Sequence, residues 1–184
     1  MKEEIKRLRE LALLAVDLAF TSAIYNLRDV AREIMEIEEV VDELAEEVSR
    51  QAIRRAIETG NEDQALVIVG IANALEQIAD ASVRIAETVL SGMVAHEVLR
   101  SISREADEWT LYARWTGPEM SVDQLEERFS VVPLGVKRGG EWHYAPEPSF
   151  TLRQGDLVIL KGTPEALDDL LAGYAETLEE HEGE

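Results

Sequence analysis

The sequence contains no cysteine. Disulfides, iron–sulfur clusters, thiolate zinc sites and thiol nucleophiles are therefore excluded. Aromatic residues are scarce, at 5% of 184 residues. All three tryptophans, Trp109, Trp115 and Trp142, lie in the last 76 residues, and the first 107 residues hold no proline. Positive charge is also in short supply: 18 Lys and Arg stand against 38 Asp and Glu, a formal net charge of -20. Nucleic-acid binding requires cations that neutralise phosphates, so nucleic acid is excluded as a partner. The same charge disfavours an anionic membrane surface and favours cations and basic partners. The longest apolar runs, Leu11–Val16 and Ala65–Ala72, fall short of the roughly 20 residues that span a bilayer. The start, Met1-Lys2-Glu3-Glu4, lacks the basic-then-apolar pattern of a secretory signal. The expectation is a cytoplasmic protein with no direct membrane insertion.

What is present divides at about residue 107. The first part is rich in Ala, Leu, Glu, Ile and Arg, a composition that favours long helices. One helix is predicted over Glu3–Tyr25, with Leu8, Leu11, Leu14 and Leu18 on one side. Asn26 is the expected cap of a second helix over Leu27–Thr59. There Val30, Ile34, Ile37, Val41, Leu44 and Val48 step by fours and threes, a coiled-coil-like seam. Gly60-Asn61 supplies C-cap chemistry. A third helix is predicted from Glu62, reaching as far as Asp107, with Ile68, Ile71, Leu75, Ile78, Ile85 and Val89 as its seam and Ser82 interrupting it. Short connections force antiparallel neighbours, so residues 1–107 are expected to form a three-helix antiparallel bundle. A helix of ~33 residues is about 50 Å long. Such a rod cannot hide both of its sides within one three-helix unit, which makes dimerisation along it plausible.

From Glu108 the apolar spacing changes. Trp109, Leu111, Ala113 and Trp115 alternate with polar residues, a strand signature. Ser121 with Gln124 forms a capping box, and the helix that follows buries Val122, Leu125 and Phe129. Val132, Leu134 and Val136 alternate as a second strand. Arg138-Gly139-Gly140-Glu141 turns into a short strand, Trp142–Ala145. Gln154-Gly155-Asp156 turns into a buried strand over Leu157–Lys161. Thr163-Pro164 opens a last helix with Pro at its first position, and Leu167, Leu170 and Leu171 face inward. Residues 108–173 thus read as a small α+β domain. The acidic segment 174–184 is expected to be a frayed helix end or a disordered tail.

Two family resemblances follow from these motifs. The helix Val122-Asp123-Gln124-Leu125-Glu126-Glu127-Arg128-Phe129, the strand Pro133-Leu134-Gly135-Val136-Lys137-Arg138-Gly139-Gly140, the Pro146–Pro148 loop and the run Leu152-Arg153-Gln154-Gly155-Asp156-Leu157-Val158-Ile159-Leu160-Lys161-Gly162 resemble, in order and spacing, the TrkA-C domain of potassium-conductance regulators (the C-terminal part of RCK modules). That resemblance implies a dimerising domain which in some relatives holds a small nucleotide such as cyclic di-AMP at the dimer interface. It departs from the family at Glu119-Met120-Ser121-Val122, where a Gly-Lys-Ser/Thr-Leu run often stands, so no ligand contact carries over to that turn. Residues from about 5 to 95 resemble one three-helix repeat of a PhoU protein. The matching motif is Glu-x-x-x-Asp at Glu76-Gln77-Ile78-Ala79-Asp80, with a looser copy at Glu38-Glu39-Val40-Val41-Asp42. That resemblance implies a bundle that holds a multivalent metal and docks on a transporter or other partner.

The candidate sites follow. Glu38 with Asp42, and Glu76 with Asp80, each share a helix face at i, i+4. Antiparallel packing would bring the two pairs together as an oxygen-rich site for a divalent cation; the other reading is a solvated acidic face. Val131, Val132, Pro133 and Leu134 occupy the strand that forms the dimer pocket in TrkA-C relatives, or are an ordinary buried strand. Arg128, Lys137 and Arg138 are the nearest cations for an anionic ligand. His96, His143 and His181 are scattered without metal-ligand spacing; surface or packing roles fit them, and His143 alternatively lines a dimer interface. The tryptophans are core or interface residues, or a platform on which a base stacks. No nucleophile elbow, P-loop or dinucleotide-binding glycine pattern occurs. The expected function is a non-enzymatic regulator of potassium or other cation transport, a homodimer acting on a membrane transporter or channel subunit. The alternative is a metal-binding PhoU-like protein of phosphate or metal homeostasis.

Overall fold

A computed structural model of the chain describes residues 1–92, 98–99 and 108–178. The chain divides into two compact units, Met1–Ser22 with Leu27–Val94, and Ala23–Asn26 with Ala95–Glu184.

The first unit is built from three long helices: α1 (Lys2–Tyr25), α2 (Arg28–Thr59) and α3 (Glu62–Leu90). Asn26 does not cap α2 as expected. It adopts a left-handed conformation, φ 53°, which Asn tolerates better than most residues, and Leu27 takes the N-cap position without a side-chain bond. Gly60 ends α2 at φ 70°, its N–H donating to the Ala56 carbonyl, and the Asn61 side chain accepts from the Gln64 N–H to start α3. Glycine pays no steric cost in that left-handed turn. The turn folds α3 back antiparallel to α2. In the same register the Arg28 guanidinium donates to the Leu90 carbonyl at 2.5 Å, placing a cation at the C-terminal end of α3. Here α3 ends, with Ser91 as its cap and Gly92 at φ 79°. The expected helix does not run on without a break to Asp107; the remainder of that stretch falls outside the described residues except at 98–99.

On α2 the buried line is Val30, Ala31, Ile34, Ile37, Val41, Ala45, Val48 and Ala52, close to the anticipated seam, with Leu44 half-buried. On α3 it is different. The buried residues are Ala65, Ala72, Ala79, Ser82, Ala86 and Val89, whereas Ile71 is 48% exposed. Alanines at a seven-residue spacing let α3 lie close to the Val and Ile ridge of α2. The buried hydroxyls cost little, because each donates within its own helix: Thr21 to Asp17, Ser22 to Ala19 and Ser82 to Ile78.

The second unit is a five-stranded antiparallel sheet in the order β4-β3-β6-β1-β7, with a separate two-stranded pair β2-β5. The strands are β1 (Trp109–Trp115), β2 (Met120–Ser121), β3 (Val132–Arg138), β4 (Glu141–Tyr144), β5 (Thr151–Leu152), β6 (Leu157–Gly162) and β7 (Ala175–Thr177). Two short helices, α4 (Val122–Phe129) and α5 (Pro164–Leu171), join them. The Ser121–Gln124 capping box forms, and Thr163 caps α5 with Pro164 in the first turn. Alternate residues of the central strands, Leu111, Ala113, Trp115, Val136, Val158 and Leu160, pack in one core with Leu125, Leu167 and Leu170 of the helices.

The strand β7 corrects the expectation of a frayed tail from residue 174. Ala175 is 6% exposed and pairs with Trp115, while Glu176 lies opposite Arg114. The Tyr174 carbonyl accepts from both Thr116 and Gly117 N–H groups. One buried small residue and unmet backbone groups on the β1 edge thus recruit an acidic segment that composition alone marks as solvated. Residues 179–184 of that tail are outside the described part.

Candidate functional site

The four carboxylates singled out in the helical unit do come together, two by two. Antiparallel packing brings Glu38 near Asp80 and Glu76 near Asp42, close enough for each carboxylate to act on its neighbour's charge. Both glutamates titrate above the usual carboxylate range. Partial burial is the first cause for each; for Glu38 the charges of Asp80 and Asp42 add to it, and for Glu76 those of Asp42 and Asp80. The glutamates are half-buried and the aspartates exposed. The residues therefore form two facing pairs on the α2–α3 seam. Among the described residues no group of three or more Asp, Glu or His side chains is placed to hold a metal ion.

In the second unit the segment Val131–Leu134 is the entry to β3. Ser130 turns the chain out of α4 in the left-handed region, φ 55°, its N–H held by the Glu126 carbonyl. Val131 is fully buried, and its Cγ2 lies 3.1 Å from where a Cβ on Gly162 would stand. Val132 is 48% exposed. Pro133 and Leu134 are buried again. The β3–β6 register shifts between Pro133 and Gly135, so Leu134 is the extra residue of a bulge, and a bulge is where a sheet tolerates proline. The Leu134 carbonyl is satisfied by the Ala145 N–H at 2.9 Å.

The two arginines proposed for an anionic ligand differ sharply. Arg138 is held by Asp156, which is 4% exposed: Nε donates to Oδ1 at 2.9 Å and Nη2 to Oδ2 at 2.5 Å, while Nη2 also donates to the Thr151 carbonyl at 2.7 Å. Asp156 accepts a further bond from the Arg153 N–H at 2.8 Å. The hydrogen bond to Asp156 is the main reason that Arg138 holds its proton even more firmly than usual. This arginine clamps the β3–β4 turn region to the loop before β6. Arg128 is exposed, with its guanidinium over the rings of Phe129 and Tyr174 at 5.1 and 4.8 Å. Sequence reasoning missed Lys161, which pairs across from Val132 in the β3–β6 register and makes an ion pair with Glu108 at 3.8 Å. The signal was the antiparallel pairing itself, which spacing along the chain does not reveal.

The aromatic residues take separate roles. Trp115 is fully buried and its Nε1 donates to the Pro118 carbonyl at 2.9 Å. Trp109 packs against the same core. Trp142 stacks on Tyr144 with ring centroids 5.4 Å apart and planes 18° from parallel, and Lys137 sits 5.6 Å from the Trp142 ring. Both rings lie over Gly135, where a Cβ would meet Tyr144 Cδ1 at 3.1 Å and Trp142 Cε3 at 3.3 Å. His143 lies 5.3 Å from the Phe150 ring, while His96 and His181 are outside the described residues.

A family model described as the PhoU domain matches residues 5–89, and one described as the TrkA-C domain matches residues 119–172. No curated protein matches the chain. Among solved structures, the chain is similar to the RCK C domain of the potassium transport protein KtrA in complex with cyclic diadenosine monophosphate (c-di-AMP). Identity is 23% and the TM-score 0.29, covering 42% of this chain and 95% of that one. It is also similar to the GsuK RCK domain, at 18% identity and a TM-score of 0.32, covering 62% of this chain and spanning 25% of that one. Taken with the helices and the sheet described above, the two family matches identify the chain as a PhoU domain of three long helices followed by a TrkA-C domain.

Proposed function

We propose that the chain is a non-enzymatic, cytoplasmic regulator of potassium or other cation transport. Its TrkA-C domain pairs as a homodimer and senses a small ligand; its PhoU domain couples that state to a membrane transporter or channel subunit. The observation that carries this reading is the entry to β3. There Val132, 48% exposed, stands between buried neighbours, opposite Lys161 and four residues after the exposed Arg128. An apolar side chain open to a second surface, with an exposed arginine on the preceding helix, suits a small anion held between two copies. A chain of net charge -20 needs such local cations to hold a phosphate group at all. Because Arg138 is committed to Asp156 and Lys161 to Glu108, the ligand-facing charge in this reading is the exposed Arg128.

The test is a thermal-shift and calorimetric titration of the full chain with c-di-AMP, the ligand of the KtrA domain, and with adenine nucleotides. A specific ligand at 100 times its Kd stabilises by about 2.7 kcal/mol. Arg128→Gln should weaken binding at least tenfold without lowering the unliganded melting temperature. A sedimenting monomer at micromolar concentration, with no nucleotide shifting its melting, removes the sensing homodimer. Absence of binding to the transporter's cytoplasmic face, with or without nucleotide, removes the coupling.

A second reading, a metal-binding protein of phosphate or metal homeostasis, is favoured by the Glu38–Asp80 and Asp42–Glu76 pairs. Its test is metal analysis of protein purified without chelator, repeated on Asp42→Ala and Asp80→Ala. Metal content unchanged by both substitutions sinks it.

A further inference from the structure

We propose that a second copy of this chain docks on the outward face of α3, the two α3 helices crossing antiparallel at Gly70. This contact is separate from the ligand-sensing dimer and stands without it. The face consists of Leu66, Val67, Gly70, Ile71, Ala74 and Ile78. Leu66 is 71% exposed, Val67 62%, Ile71 48% and Ile78 37%. Single exposed apolar residues are ordinary, but a contiguous stripe of them marks an interaction surface. Of the described helices, α3 alone has the length and apolar composition of a membrane span, yet only 22% of its apolar window is buried.

Charge and shape choose the occupant. The twelve residues Gln64–Leu75 carry no ionisable side chain, about 18 Å of helix at 1.5 Å per residue. Glu62 and Asp63 bound this run on one side, and Glu76 and Asp80 on the other. An anionic bilayer surface would meet those acids unfavourably. A second copy brings the same neutral run and tolerates them, provided the crossing is antiparallel. With Gly70 on the two-fold axis, Leu66 falls opposite Ala74 of the second copy, a large side chain against a small one. Asp63 falls opposite Gln77, and Glu62 opposite Ile78, so no acid faces an acid. A parallel crossing would set Asp63 on Asp63. A self-complementary patch of this kind is what a two-fold interface requires.

Gly70 supports the crossing point independently. A Cβ added there would meet nothing within 4 Å. Glycine in a helix interior is unfavourable relative to alanine, and among the described residues no packing asks for it. Close approach of a second helix backbone does.

Because the chain has no cysteine, engineered thiols report this contact cleanly. Full-length Gly70→Cys should form a covalent dimer under mild oxidation at micromolar concentration, whereas Glu87→Cys, on an exposed position of the same helix, should not. An equimolar mixture of Leu66→Cys and Ala74→Cys should cross-link at least tenfold more than either alone. Adding Gly70→Leu to both chains should abolish that gain. The proposal is overturned if Gly70→Cys cross-links no better than Glu87→Cys. It is overturned equally if Leu66→Cys alone cross-links best, which is the parallel outcome. It also fails if a fluorophore on Gly70→Cys shifts blue with lipid vesicles but not with added unlabelled protein.

Discussion

The carboxyl pairs of the PhoU domain give a prediction whose sign is fixed by the structure. Glu38 and Glu76 titrate above the ordinary value of 4.5, through burial first and then neighbouring carboxylates. A carboxyl group with a raised native pKa binds more protons folded than unfolded, so its favourable contribution is complete at acid pH. It is lost as pH rises from about 4.5 through the native value. Near pH 7 the four groups are mutually repulsive. Like charges at i, i+4 cost about 0.2–0.5 kcal/mol per pair; two such pairs exist, 38 with 42 and 76 with 80, and two cross-helix neighbours, 38 with 80 and 42 with 76, add to them. The partial exposure of the group keeps the total near ~1 kcal/mol. The double variant Glu38→Gln, Glu76→Gln should therefore melt about 4–8 °C higher at pH 7 if the helical unit unfolds as a domain of under 100 residues. Its stability should change less between pH 5 and pH 7 than that of the wild type. The assay is thermal unfolding followed by circular dichroism at four pH values, with and without Mg²⁺ or Mn²⁺. A double variant no more stable than wild type at pH 7, with an unchanged pH slope, would refute the repulsion argument. Under the metal reading a divalent cation stabilises the wild type and not the variant.

Three further substitutions test the TrkA-C domain. Arg138→Gln leaves the nearly buried Asp156 carboxylate without its guanidinium, a loss of about 3–5 kcal/mol measurable as a lower urea midpoint at unchanged m-value; a change under 1 kcal/mol would show that the clamp is ornamental. Gly135→Ala puts a methyl group into the space of the Tyr144 and Trp142 rings, costing about 1–3 kcal/mol with a shift in Trp142 emission; an unchanged spectrum would contradict the stacking. Ser121→Ala removes the capping box of α4, worth about 1 kcal/mol, and the same denaturation assay reads it.

Most of the second unit was legible because local chemistry and tertiary demand agree there. Ser121 and Gln124 cap a helix, Gly139 and Gly140 both take positive φ in the β3–β4 turn, and each alternating run becomes a strand. What was not legible is what depends on pairing. The strands β2 and β5 are two residues each and exist only through each other, and β7 depends on the free edge of β1. At the candidate site, what the sequence made legible is the approach of the four carboxylates. The i, i+4 spacing of the carboxylates and a short turn were enough to predict that they meet, since an antiparallel hairpin of helices fixes which residues face. The commitment of Arg138 to Asp156 was not readable, because 18 residues of sequence separate groups that the sheet brings within 2.5 Å.

The third helix shows why size is a poor guide to burial when a helix is apolar on every side. In α3 two stripes compete. One consists of large residues, Ile71 and Ile78 among them; the other of alanines at 65, 72, 79 and 86. Reading the first as the seam assumes that the largest side chains gain most from leaving water, as they do when a neighbour leaves room for them. But α2 already fills the contact with Val30, Ile34, Ile37, Val41 and Val48, and a close-packed interior cannot take bulk from both sides. The helix therefore turns its small face to α2 and its large face outward. Repacking cannot relieve that exposure: rotating α3 to bury Ile71 and Ile78 would overfill the α2 contact and move Glu76 and Asp80 away from Asp42 and Glu38. The outward stripe is thus a consequence of how the domain satisfies its own core, and no described residue of the chain covers it.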